Sequence, residues 1–301
     1  MLRYYVRKAG HAITQIAFAR RRFKLFLRET IQDINLRVQG VAAATNFFST
    51  LIRPTVISAP FGRSMLVVAP HQDDEIIGCG GAMALQKCSG GAVGVIVLQD
   101  GADECAQVSM TRKSLEELRN EESRAAAKVI GIKDLVFLGS KDLRSEIASI
   151  SSVMKEMIES RKVDAIFVPF VLDGNKDHKS CDVIVARALR GIERPIRVFQ
   201  YEVWANCIPN VVVIVDDVME KKEEMLSCFR FANSAVDYSH ATKGLNMLNS
   251  RLLPAGKSKY VEAYFEMPRC EFVKFVDVVA RAEGKGLTVY DQKLEDNGFT
   301  A

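Results

Sequence analysis

An α/β fold with a mostly parallel sheet and helices on both faces is what this 301-residue sequence predicts. Three observations carry that prediction. Short apolar, β-rich runs alternate with longer stretches of helical period. The alternation begins abruptly after a segment broken by proline and glycine. Polar, chemistry-bearing residues then cluster just past the ends of the runs, where a parallel sheet places its ligand site.

Taken in order, the chain opens with a basic, partly amphipathic helical extension assigned to residues 1–60, ending in the broken stretch from Arg53-Pro54 to Pro60-Phe61-Gly62. The main domain is assigned to residues 61–301. Its strands are predicted at Met65–Ala69, Val93–Leu98, Leu135–Leu138, Ala165–Val168, Arg197–Tyr201 and Val211–Val215. Helices are predicted at Ser109–Ile130, Ile147–Ser160, Asp182–Leu189 and Met219–Phe229, with a further helix starting near Glu75. No internal repeat or low-complexity tract interrupts this order.

Composition narrows the function classes. With 48% hydrophobic and 26% charged residues the chain is neither disordered nor fibrous, and no run of 18 apolar residues exists to span a bilayer. The seven cysteines are odd in number and form no CxxC pair, which argues against thiolate zinc or dithiol redox chemistry and for a reducing, cytoplasmic setting. Net charge is +4, yet residues 1–60 hold ten Lys/Arg against two acids, leaving the rest at −4. A nucleic-acid partner is therefore not expected. The basic segment reads first as a solvated extension or a homo-oligomer contact. Peripheral attachment to an anionic membrane and an Arg-rich organellar targeting segment are the alternatives.

The chemistry begins at Leu66-Val67-Val68-Ala69-Pro70-His71-Gln72-Asp73-Asp74-Glu75, where an apolar strand runs into one imidazole and three carboxylates. Three adjacent acids repel one another, and burying them is costly unless a cation shares the site. A divalent metal accounts for them. His71 and Asp74 can turn toward one point while Asp73 faces the open side. A catalytic zinc takes a third protein ligand. Of the other histidines, His11 lies in the extension and His240 near the C-terminal region, whereas His178 follows the strand Ala165–Val168 and is the natural choice.

These residues resemble a known family. His71-Gln72-Asp73-Asp74-Glu75 with Gly78-Cys79-Gly80-Gly81 is similar to the first signature of the PIG-L/LmbE-like zinc deacetylases, and Asn175-Lys176-Asp177-His178 to the second. Asp100-Gly101, Arg119-x-x-Glu122 and Ala125-Ala126 match the turn and helix between them. Tyr201-Glu202-Val203-Trp204 resembles a stretch of bacterial members associated with surface-glycan synthesis. The resemblance implies a Rossmann-like three-layer sandwich that hydrolyses the N-acetyl group of an amino sugar. It implies Zn2+ held by His71, Asp74 and His178, with Asp73 as general base, Asp177 as an orienting carboxylate, and Arg119 and Asp100 on substrate. Two positions depart from the pattern. Gln72 replaces a proline, and Asn175 replaces a histidine, so that an amide able to donate a hydrogen bond stands where the family has a group able to exchange a proton.

Plainer readings stand beside these. Glu75 supports the helix start. Gly78, Gly80 and Gly81 fall inside a helix and not in the strand–helix turn, which argues for close packing over dinucleotide binding. Arg119 can form a helix-surface ion pair with Glu116 or Glu122. Tyr201 and Trp204 can stack on a sugar or pack in the core. Functionally, the alternatives to an amino-sugar deacetylase are a catalytically weak relative that binds a glycan or partner, and a zinc amidase acting on another amide.

Overall fold

The computed structural model describes residues 54–103 and 105–282, with side chains to residue 280, so most of the basic extension lies outside the described residues. Eight strands form one mixed sheet: β1 (Thr55–Ile57), β2 (Ser64–Ala69), β3 (Ala92–Gln99), β4 (Asp134–Ser140), β5 (Ala165–Pro169), β6 (Arg197–Tyr201), β7 (Val211–Ile214) and β8 (Val261–Pro268). Their spatial order is β1-β7-β8-β6-β5-β2-β3-β4, parallel except that β8 runs against both β6 and β7. The helices are α1 (Asp74–Cys88), α2 (Arg112–Val129), α3 (Ile147–Ser160), α4 (Lys176–Leu189), α5 (Met219–Ser227), α6 (Arg230–Ala235), α7 (Tyr238–Asn249) and α8 (Arg269–Ala282).

The strand period of two divides the core into layers. Along β2, Leu66 and Val68 join one buried cluster while Met65, Val67 and Ala69 join the other. α3, α4 and α8 pack together on the first side, and α1, α2 and α5 on the second. Phe167 on β5 stacks on Phe199 of β6 at 4.5 Å and meets Tyr264 of β8 edge-on at 5.3 Å. Truncating such a side chain costs about 3–5 kcal/mol.

All six predicted strands are present, but β1 and β8 are additional. β1 lies before residue 61, within the stretch assigned to the extension, and pairs with Val211–Val213. β8 carries the pairing that closes the gap between β6 and β7. Among the described residues no helix is long and apolar enough to cross a membrane.

The chain direction fixes where a site can form. From β2 the chain moves outward to β3 and β4, then returns to place β5 on β2's other side. The crevice at the carboxyl ends of β2 and β5 is thus the topological switch point of the parallel sheet, where open α/β sheets bind ligands.

α1 is broken at Cys79 (φ −145°, ψ 23°). The break is stabilised from both sides. Lys222 Nζ donates to Ile77 O at 2.9 Å, while Glu262 accepts from the backbone N–H groups of Gly81 and Ala82 at 2.7 and 2.8 Å. A cation thus meets carbonyls ending the first half and an anion meets amides starting the second, each matching the local helix dipole. Glycine is required here by contact: a Cβ on Gly78 would lie 2.1 Å from the Tyr201 ring, and one on Gly81 would lie 2.5 Å from Val215.

Candidate metal centre and active site

His71 and Asp74 come from the β2–α1 turn and His178 from the first turn of α4 beyond β5. One ligand atom from each lies within 4.8 Å of the others. The two imidazole centroids are 5.6 Å apart. Asp74 Oδ2 is the common point, 3.1 Å from His71 Nδ1 and 3.3 Å from His178 Nε2. It also accepts the His71 backbone N–H at 3.0 Å.

Each imidazole faces a second carboxylate. Asp177 Oδ2 lies 3.5 Å from His71 Nε2, and Asp173 Oδ2 lies 3.3 Å from His178 Nδ1. Asp173 is wholly buried, and its two oxygens also accept the backbone N–H groups of Asn175 (2.8 Å) and Trp204 (3.0 Å). The sequence reading missed Asp173. An acid five positions before His178, in the same loop, was the available signal.

The His178 ring is fully buried, yet neither nitrogen completes a hydrogen bond. Orphaned buried ring nitrogens are costly and call for a partner. Two imidazoles and a carboxylate converging on one point suit a divalent ion such as zinc. In the protein without a cation, burial lowers the affinity of His71 for protons, but Asp177 and Asp74 outweigh it and raise its pKa to about 9. Burial acts likewise on His178, where Asp74 and Asp173 raise it to about 10. Burial alone would raise Asp74, but the two imidazoles hold it well below the usual carboxylate range. These carboxylates create a cation-seeking centre.

Asp73 stands beside that centre, buried, on a backbone with φ 106°. Such a conformation costs an ordinary residue on the order of 1–3 kcal/mol and persists only where the surroundings enforce it. Here they do. Glu75 Oε2 accepts the Asp73 N–H at 3.1 Å, and Arg119 donates to Gln72 O at 2.9 Å and to Gly101 O at 3.0 Å. Burial and the neighbouring charge of Asp74 push the Asp73 carboxyl up to about 7, against the pull of Arg119 and the two imidazoles. A carboxyl tuned near neutrality suits proton transfer.

The structure commits four residues to contacts that the sequence does not announce. Arg119 is buried and spends its guanidinium on the two turns, 3.7 Å from Asp73, so its observed contacts are bracing ones and not ion pairs with Glu116 or Glu122. Asp100 is also buried, held by Arg112 at 2.5 and 2.7 Å and by the Ala102 N–H. Its carboxylate fixes a loop and leaves little for substrate. Asn175 caps α4, its Oδ1 accepting the Asp177 N–H at 2.8 Å. Gln72, standing where the family pattern has a proline, donates to Asn120 Oδ1 at 2.9 Å and to Asp100 O at 3.2 Å, tying the two loops together. His240 is exposed, and Tyr201 is a core residue whose hydroxyl donates to Val68 O at 2.9 Å.

Comparison with known proteins fits this geometry. Residues 66–189 match the PIG-L family model, described as GlcNAc-PI de-N-acetylase. A Bacillus cereus protein named "Probable N-acetyl-alpha-D-glucosaminyl L-malate deacetylase 2" is 27% identical over 193 residues, covering 58% of this chain and 86% of its own. The N,N′-diacetylchitobiose deacetylase structure from Pyrococcus horikoshii aligns with a TM-score of 0.60 at 17% identity, covering 78% of this chain and 93% of that one. GalB, the 4-carboxy-2-hydroxymuconate hydratase from Pseudomonas putida, aligns with a TM-score of 0.54 at 21% identity, covering 68% and 96%. Structural likeness at such identities speaks to the fold, which is thus shared by enzymes of different reactions. The span matched by the PIG-L family model, residues 66–189, carries both ligand-bearing loops.

Proposed function

We propose that this protein is a zinc-dependent hydrolase that removes the N-acetyl group from an N-acetylated amino sugar, carried in a glycan, a glycolipid or a nucleotide-sugar intermediate. The observation that carries the reading is the convergence of His71, Asp74 and His178 at the switch point with the buried Asp73 beside them. The family match and the Bacillus cereus relative, named for an N-acetylglucosaminyl substrate, support the choice of an acetamide.

A zinc ion held by these three side chains supplies a Lewis acid that acidifies water and balances charge on the acetamide oxygen. The protein's own residues do the rest. Asp73 takes a proton from the attacking water and returns it to the departing nitrogen as the C–N bond breaks, releasing acetate and the free amine. Arg119 and Glu75 hold the turn that aims Asp73. Asp177 and Asp173 orient the His71 and His178 rings. Asn175, its Oδ1 committed to the helix cap, keeps Nδ2 as a neutral donor for the acetamide oxygen. Because an amide cannot exchange a proton near neutral pH, the whole proton transfer falls on Asp73.

The test is acetate release by the zinc-loaded protein across a panel of N-acetyl sugars, nucleotide sugars and lipid-linked forms. Asp73→Asn is expected to lower turnover about 10²–10⁴-fold while retaining stoichiometric zinc. Unchanged turnover would overturn the role of Asp73, and a protein unable to retain zinc would leave glycan binding as the better reading.

A further inference from the structure

We propose that Trp204 is the stacking platform of a saccharide subsite flanking the metal centre, and that it receives the pyranose ring adjoining the one that bears the acetamide. The inference rests on the deacetylase reading and adds to it a substrate of at least two sugar units.

Trp204 is the sequence's single tryptophan and is 59% exposed, the one aromatic among the large hydrophobic side chains left exposed by the described residues. Leaving an indole in water forgoes about 25 cal/mol for each Å² of apolar surface, so an exposed indole whose backbone is anchored to a residue of the centre invites an apolar face to cover it. Its position is set by the centre itself. The Trp204 backbone N–H donates to the same Asp173 Oδ2 that faces His178 Nδ1. Its loop is held by the buried Glu202, which accepts from Cys207 N at 2.8 Å and from Asn249 Nδ2 at 2.8 Å. Tyr238 meets the indole edge-on at 6.0 Å and 81°, bracing it without covering it.

The same segment reaches the other side of the centre. Phe231 donates its backbone N–H to Glu122 and lies 5.8 Å from the guanidinium of Arg119, which in turn is 3.7 Å from Asp73. Residues 231–238 thus run from a ring against Arg119 to a ring against Trp204. Asn206 and Asp237, close in sequence to Trp204 and Tyr238, are polar and exposed. An aromatic face flanked by hydrogen-bonding groups matches a sugar ring, whose C–H face is apolar and whose rim carries hydroxyls. Because the platform is held in place before binding, little ordering entropy is lost on docking.

The single tryptophan makes the test direct. In the zinc-loaded Asp73→Asn protein, titration with N,N′-diacetylchitobiose is expected to give a saturable change in tryptophan emission, at concentrations at least tenfold lower than N-acetylglucosamine requires. In the otherwise unaltered enzyme, Trp204→Ala is expected to raise the ratio of disaccharide KM to monosaccharide KM about tenfold, and Trp204→Phe to restore most of it. Unmoved emission together with an unchanged KM ratio overturns the subsite and leaves the deacetylase standing if acetate is still released. A disaccharide-dependent emission change without acetate release from any member of the wider panel supports the subsite and refutes the deacetylase. Neither response overturns both.

Discussion

Lys222 Nζ lies 2.5 Å from Glu262 Oε1 in the protein interior, and the two side chains terminate opposite halves of the broken helix that begins at Asp74. Tyr264 donates to Glu262 Oε2 at 2.6 Å and Asn246 Oδ1 accepts from Lys222 at 3.0 Å, so neither charge is left with one partner. Removing one member strands the other in a low-dielectric interior. Lys222→Met and Glu262→Gln are each expected to cost about 3–5 kcal/mol, read as a lowered urea midpoint. The double variant should lose clearly less than the sum, and strict additivity in the double-mutant cycle would show that the pair does not act as a unit.

Asp182, on the turn of α4 that follows His178, is buried with neither oxygen hydrogen-bonded. Burial pushes its carboxyl well above the usual range, so the folded protein keeps a proton that the unfolded chain releases near pH ~4. Its contribution is therefore most favourable below that pH and declines as pH rises toward the folded value. Asp182→Asn is expected to flatten this slope and to stabilise the protein at neutral pH by about 1–3 kcal/mol. Denaturation midpoints between acid and neutral pH check it, and parallel curves for the two proteins would refute it.

Asp173 faces His178 Nδ1 at 3.3 Å and accepts the Trp204 backbone N–H, and on the proposed reading it orients the His178 ring. Asp173→Asn should weaken zinc binding about 10–100-fold, measured by competition with a chromophoric chelator, with the circular dichroism spectrum unchanged. Equal affinity in the two proteins would remove Asp173 from the support of the centre.

The ten Lys/Arg of the basic extension all lie at or before residue 53, just ahead of β1. Removing residues 1–53 deletes the charge and spares the strand. We expect the full chain to bind anionic vesicles in a salt-sensitive way, at about 1 kcal/mol per basic residue reaching the surface, and the shortened chain to lose that binding in a sedimentation assay. Equal sedimentation of both would exclude membrane attachment by this segment.

The parallel half of the fold was legible because buried strands such as Leu66–Ala69 and Ala165–Val168 are continuous apolar runs that end in polar residues. β8 was not, since Glu262 and Glu266 interrupt its apolar run and resemble solvent-facing positions. Only the structure shows that Glu262 points at a helix break. His71, Asp74 and His178 could be chosen from one sequence because so few histidines compete and two of them fall at strand ends. Arg119 and Asp100 were placed near the site, but their commitments to Gln72 O, Gly101 O and Arg112 are tertiary, and no local pattern announces them. Asp173 had a local signal in its place in the His178 loop, but its contacts with His178 and with the Trp204 N–H are likewise visible only in the fold.

β2 and β5 are neighbours in the sheet, yet the chain makes a long detour through β3, α2, β4 and α3 between them. A nascent polypeptide that has emerged only through β4 owns two donors and no coordination sphere. Capture of a cation by all three side chains must await completion of the crossover, whose loop-closure entropy the strand pairing has by then met. On the proposed metal-centre reading, uptake of the ion during refolding would act as a clock for topology, striking once the last parallel neighbour of β2 has docked.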